Sequence, residues 1–119
     1  MAQQERRATL DLRMANGHRT AELRSIELHR LVAQKLDDAL VRRASERVQG
    51  WLADEDAPVP SVYARQWSDL LSGPRDHLAR SLTEDTPRMR DLRQNTPFAG
   101  ALSESERLAV IRGSRYRCR

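Results

Sequence analysis

The sequence predicts an all-α protein, a compact bundle of short helices, and three observations carry that expectation. Apolar residues recur three and four positions apart, most cleanly as Leu40, Val41, Ala44, Val48, Trp51 and Leu52. Helix starts and stops fall between such stripes, with prolines at 74 and 87 and a Ser103/Glu106 pair spaced as a capping box. Nowhere do β-branched and aromatic residues run or alternate as a strand requires.

In chain order, residues 1–15 hold Leu10, Leu12 and Met14 at a spacing closer to alternation than to a helical stripe, and Asn16-Gly17 reads as a turn. Thr20 then caps a helix over 21–36, with Glu22 in its first turn and Leu28, Leu31, Val32 and Leu36 on one face, joined by Leu23 and Ile26. Asp37 or Asp38 caps the next helix, which carries the stripe from Leu40 to Leu52. Residues 54–60 must be a loop, because Pro58 and Pro60 cannot both lie inside a helix.

Ser61 opens a helix with Tyr63, Trp67, Leu70 and Leu71 inward, ended by Ser72-Gly73. Pro74 suits the first position of a helix bearing Leu78 and Leu82, and Pro87 after Thr86 repeats that start for one bearing Met89 and Leu92. Thr96-Pro97 forces the chain out of helix, Phe98-Ala99-Gly100 turns it, and Ser103 starts a last helix with Leu108 and Ile111. Thr96, Pro97, Phe98 and Gly100 thus form a structural turn, in which Phe98, the single phenylalanine, is expected to be buried between the Leu92 and Leu108 faces. The packed domain is expected over 20–112, between a poorly anchored segment at 1–19 and a basic tail at 113–119.

At 119 residues the chain makes one domain, which buries roughly two thirds of the surface its unfolded form exposes. With 32% charged and 4% aromatic residues, the core must be small and aliphatic, with Trp51, Trp67 and Tyr63 as its bulky members. Net charge is +4, and the charge is uneven: the middle third is acidic and both ends are basic. Only Lys35 among the basic residues is lysine, a bias that codon usage explains as readily as function. Cys118 is the single cysteine, so no internal disulfide, thiolate metal cluster or redox pair can form. With no long apolar run and no secretory leader, the expected location is the cytoplasm, without membrane association.

Catalytic constellations are lacking. His18, His29 and His77 lie far apart with no ligand at metal spacing, and His29 reads as a solvated or partly packed residue. A Ser25, His29, Asp37 triple can be composed on a helix, but nothing resembles a nucleophile elbow. The five glycines are scattered and build no phosphate loop, and the acidic run 54–56 lacks the register of a calcium loop. No cofactor, metal or small-molecule substrate is expected.

What remains is charge. Arg88, Arg90 and Arg93 crowd one short helix, and Arg107, Arg112, Arg115, Arg117 and Arg119 give residues 107–119 five positive charges and no acid. These arginines are the expected contact for a protein partner, with Arg93 also bridging to Asp91 or Glu104. Arg42, Arg43 and Arg47 offer an alternative surface for nucleic acid, since guanidinium groups serve both phosphate and guanine.

Two segments resemble a known pattern: residues 24–33, which read Arg-Ser-Ile-Glu-Leu-His-Arg-Leu-Val-Ala, and residues 92–100, which read Leu-Arg-Gln-Asn-Thr-Pro-Phe-Ala-Gly. The chain is similar over about 20–112 to a family of small helical bacterial proteins. In that family an Arg-Ser-x-x-Leu-His-Arg helix precedes a Leu-Arg-Gln-x-Ser/Thr-Pro-Phe-Ala-Gly segment. The module often follows a helix-turn-helix domain there and occurs beside nucleotidyltransferase-type toxin genes. The resemblance implies an antitoxin-like or regulatory partner protein, not an enzyme. About twenty residues precede Arg24, too few for a helix-turn-helix unit, so DNA binding by such a unit does not carry over. The expectation is a non-catalytic protein-interaction module, holding a toxin or a second copy of itself, with a nucleic-acid-binding regulator as the alternative.

Overall fold

A computed structural model of the chain describes the backbone of residues 2–117 and the side chains of residue 17 and residues 19–113. It contains six helices: α1 (Ala2–Lys35), α2 (Asp38–Ala53), α3 (Ser61–Ser72), α4 (Arg75–Ser81), α5 (Pro87–Gln94) and α6 (Glu104–Arg117). There is no strand among the described residues, so the all-α bundle stands. None of these helices is long and apolar enough to cross a membrane.

The first helix differs from expectation. Asn16-Gly17 makes no turn and Thr20 caps nothing, because α1 runs unbroken through both. No proline interrupts residues 2–35, and a helix that is already propagating absorbs one glycine at about 1 kcal/mol. A helix of 34 residues is about 51 Å long, and it sets the 55 Å long axis of the molecule. The radius of gyration is 16.7 Å, well above the roughly 13.5 Å of a spherical domain this size. The expected loose segment over 1–19 thus has helical backbone from Ala2; the side chains of residues 1–16 lie outside the described residues, as do His18 and Cys118.

Ile26, His29 and Val32, three apart, form the buried face of α1. Leu23, expected on that face, is 42% exposed. Leu52 is likewise exposed at the end of the α2 stripe, whose buried members are Leu40, Ala44 and Val48. In the most extensive helix pair, α2 packs on α3, which also touches α4 and α5; α1 crosses the far side of α4 and α5 and carries α6. The core therefore lies between α1 and α2, filled by Trp67, Leu78, Leu82, Met89 and Leu92, all fully enclosed.

Three other caps are where the sequence placed them. Asp37 accepts from the Leu40 amide at 2.7 Å, and Thr86 from that of Met89 at 3.2 Å, with Pro87 the first residue of α5. Ser103 Oγ accepts from the Glu106 amide at 3.1 Å while Glu106 returns a carboxylate oxygen to the Ser103 amide at 2.9 Å. Pro74 sits one position earlier than expected, in the cap of α4 instead of its first turn. The last helix continues through Gly113 to Arg117, so the basic C-terminal segment is helical in its backbone.

Two glycines separate helix propensity from turn geometry. Gly50 is exposed inside α2, with nothing within 4 Å of an added Cβ, whereas Gly100 has φ of 85°, in left-handed space. Gly50→Ala is expected to raise stability by about 0.5–1 kcal/mol, and Gly100→Ala to lower it by about 1–2 kcal/mol. Urea denaturation measures both, and a shift of the same sign in the two variants would contradict these assignments.

Candidate functional site: the 96–100 turn and its flanking grooves

The turn between α5 and α6 is held by a side chain from each of the first three helices. From α1, His29 reaches it: Nδ1 lies 2.7 Å from the Ser25 carbonyl and Nε2 lies 3.0 Å from Thr96 Oγ1. A carbonyl can only accept, so Nδ1 carries the ring proton and Nε2 accepts the Thr96 hydroxyl hydrogen. Thr96 Oγ1 in turn accepts from the Phe98 amide at 3.1 Å, and the chain of bonds is complete with the imidazole neutral. From α2, Arg47 Nη1 donates to the carbonyls of Pro97 at 3.2 Å and Ala99 at 2.9 Å. From α3, Trp67 donates Nε1 to the Leu92 carbonyl at 3.0 Å and meets the Phe98 ring edge-on, with centroids 5.8 Å apart at 76°. The tip closes as a turn from the Phe98 carbonyl to the Ala101 amide at 3.0 Å, with Gly100 in the position that needs positive φ.

Phe98 is therefore buried as expected, but its ring partner is Trp67, while Leu108 is 40% exposed. Of the two expectations for His29, solvated or partly packed, the packed one holds. It is 5% exposed, and burial, ahead of the nearby Arg93 charge, lowers its pKa from 6.5 to about 4. Its register with Ile26 and Val32, three residues to either side, is the sequence signal for this burial.

The arginine cluster of α5 is not an open contact surface. Arg93 is 3% exposed, and its Nη1 donates to the carbonyls of Leu82 at 3.3 Å and Glu84 at 2.7 Å, not to Asp91 or Glu104. Arg90 Nε stands 2.8 Å from a Glu22 carboxylate oxygen on α1. Arg88 is exposed and donates to Gln66 at 3.1 Å. The reason is packing: α5 lies between α1 and α3, so only one side of it faces solvent. Arg47, assigned by sequence to nucleic acid, is bound to the turn. Arg42, Arg43, Arg107 and Arg112 remain exposed and make no ion pair among the described residues; the side chains of Arg115 and Arg117 lie outside those residues.

Two of these free cations flank the turn. On the α1 side a groove of about 260 Å³ has an apolar floor of Leu28, Val32, Phe98 and Leu102, with His29 and Thr96 within it and Arg107 at its edge. On the α2 side a smaller groove of about 170 Å³ is lined by Leu40, Ala44, Pro97 and Phe98, with Arg43 at its edge. The exposed Ala99 and Gly100 form the ridge between them. Among the described residues no three His, Cys, Asp or Glu side chains converge as a metal site. Compared with protein families, curated proteins and solved structures, the chain matches none.

Two measurements test the turn's role. Phe98→Ala, which empties an enclosed ring site, is expected to cost about 3–5 kcal/mol, and a melting temperature within a degree or two of wild type would refute its burial. The His29 proton sets a pH dependence. The unfolded chain binds that proton near pH 6.5 and the folded chain only near 4, so the stability present above 6.5 is lost as pH falls towards 4. Between pH 7 and 5 the loss should be about 2 kcal/mol. Asp85 and Glu106, whose pKa values are pushed down by Arg19 and by Lys35, act at lower pH. Denaturation of His29→Gln should be nearly flat across that window; a slope equal to wild type would place the titration elsewhere.

Proposed function

We propose that this chain is a non-catalytic protein-interaction module whose contact surface is the 96–100 turn with its two grooves. The observation that carries the reading is the pairing of an apolar groove floor with unpaired arginines, Arg107 on one side of the turn and Arg43 on the other. Apolar area supplies affinity, while unpaired cations at the rim steer association and select the partner's charge. The fitting partner is an acidic segment of another protein that carries one or two apolar side chains.

The scaffold suits that task. His29, Arg47 and Trp67 fix the ridge from three helices, so the surface is formed before the partner arrives and little ordering opposes binding. The resemblance of residues 24–33 and 92–100 to partner proteins of toxin genes supports the same direction and suggests a toxin as the partner. Both segments lie at this site: Leu28, His29 and Val32 come from the first, and Thr96, Phe98, Ala99 and Gly100 from the second.

The test uses tagged full-length protein to recover the partner from its bacterial host, followed by titration with the purified pair. Arg43→Glu with Arg107→Glu is expected to weaken binding at least about tenfold and to flatten its salt dependence, since screening at physiological ionic strength acts over about 8 Å. Arg65→Glu, an exposed α3 residue outside both grooves, is the control and should leave affinity unchanged. Equal affinity for the double variant and wild type would refute the surface, as would retention of duplex DNA or RNA at 150 mM salt in place of any protein.

A further inference from the structure

One side of α2 carries opposite charges at its two ends. Arg43, Arg47, Gly50 and Asp54 follow one another at spacings of four, three and four, and eleven residues make close to three helical turns, so the four share one stripe. All four are exposed. The stripe borders the 96–100 turn, to which Arg47 is bonded, and Arg43 edges the α2-side groove. About 16 Å further along the helix, Asp54 opens the acidic loop with Glu55 and Asp56. The loop is anchored, since Asp54 Oδ1 accepts from the Asp56 amide at 2.9 Å and Val59 is buried. Among the described residues neither Arg43 nor any of the three loop carboxylates has an ion-pair partner.

We propose that the α2-side groove receives the acidic loop of a second copy of this chain, in a two-fold dimer whose α2 helices run antiparallel along this stripe. Within one chain the two charged ends are held apart by the helix; between two reversed chains they coincide. Setting Arg43 opposite the partner's Asp54 brings the reciprocal pair with it, because a two-fold interface makes every contact twice. The same register sets Arg42 opposite the partner's Glu55 and Arg47 opposite the partner's Gly50. Gly50 is the feature that permits close approach: nothing lies within 4 Å of a Cβ built there, and α2 runs through it without a turn that needs its freedom. A parallel pairing is disfavoured, since it would set Arg43 against its own copy. This deepens the reading above and rests on it for one groove only. The second copy fills the α2 side, and Arg107 with the α1-side groove is left for the acidic segment of another protein.

The test needs only the purified full chain, so its failure and a failure to recover another protein are separate results. Sedimentation equilibrium measures the dimer, and thermal melting checks that each variant is folded. The wild-type dimer should be at least about tenfold weaker at about 500 mM salt than at about 50 mM, where charges are screened over about 4 and 14 Å. Arg43→Glu and Asp54→Arg, each alone, place like charges opposite one another in both contacts and should weaken the dimer at least about tenfold. Mixed in equal amounts, the two variants form a pair in which both contacts are attractive again, and the mixture should associate within about threefold of wild type. Gly50→Gln keeps every charge and fits the single chain, yet should weaken association at least about tenfold by overfilling the helix contact. A wild-type chain that stays monomeric at about 1 mM would overturn the assignment. So would association that continues beyond two copies, a mixture of the two folded charge variants that stays monomeric, or an undiminished dimer in folded Gly50→Gln.

Discussion

Three helices meet at five residues, and the bundle depends on that meeting. The 96–100 turn has no regular secondary structure of its own to satisfy its backbone, so its polar groups must be met from outside. His29 meets Thr96, Arg47 takes the carbonyls of Pro97 and Ala99, and Trp67 both supports Phe98 and caps the Leu92 carbonyl at the end of α5. These contacts span 67, 50 and 25 residues of sequence. A local element that requires such distant partners fixes the relative positions of α1, α2 and α3 at once. Rigid placement of the turn also sets the shape of both grooves beside it, which is how packing becomes a binding surface.

Much of this was legible in the sequence wherever the signal was local. The caps at Asp37, Thr86 and Ser103, the loop at 54–60 and the burial of Trp67 and Phe98 each follow from a residue and its near neighbours. The misses share another cause. His29, Arg47 and Arg93 are polar residues whose roles are decided by partners elsewhere in the chain, and a hydrophobic pattern assigns polar residues to solvent. For His29 and Arg93 the register was informative in retrospect: one lies three residues from Ile26 and from Val32, and the other four from Met89. Arg47 sits beside Val48 but is exposed, and nothing local distinguishes it from Arg42 and Arg43. The continuity of α1 was missed for the opposite reason, since a strong local turn signal at Asn16-Gly17 was outweighed by propagation on both sides.

The arginine excess divides into distinct uses once the geometry is known. Arg47 and Arg93 donate to main-chain carbonyls, two from a single nitrogen in each case, while Arg19, Arg75 and Arg90 join helices or loops through carboxylates. Exposed pairs such as Arg75 with Asp38 contribute little to stability, whereas a buried guanidinium cannot be truncated without stranding the groups around it. A compositional bias therefore says nothing about role; the unpaired arginines at the edges of the turn stand out only because so many others are occupied.

The last helix is attached differently from the rest. No described residue of α6 is fully buried; its anchors are the capping pair at its start and Lys35, which bonds both Glu106 and the Ala101 carbonyl. Free energy of local opening tracks buried apolar contact, so α6 and the enclosed α3 belong to different tiers of a hydrogen-exchange hierarchy. Of the larger groove's lining α6 supplies only Arg107, while the turn itself stands on His29, Arg47 and Trp67. The two walls of that groove therefore differ in kind, one set in the enclosed core and the other held at its start by a capping pair and a lysine.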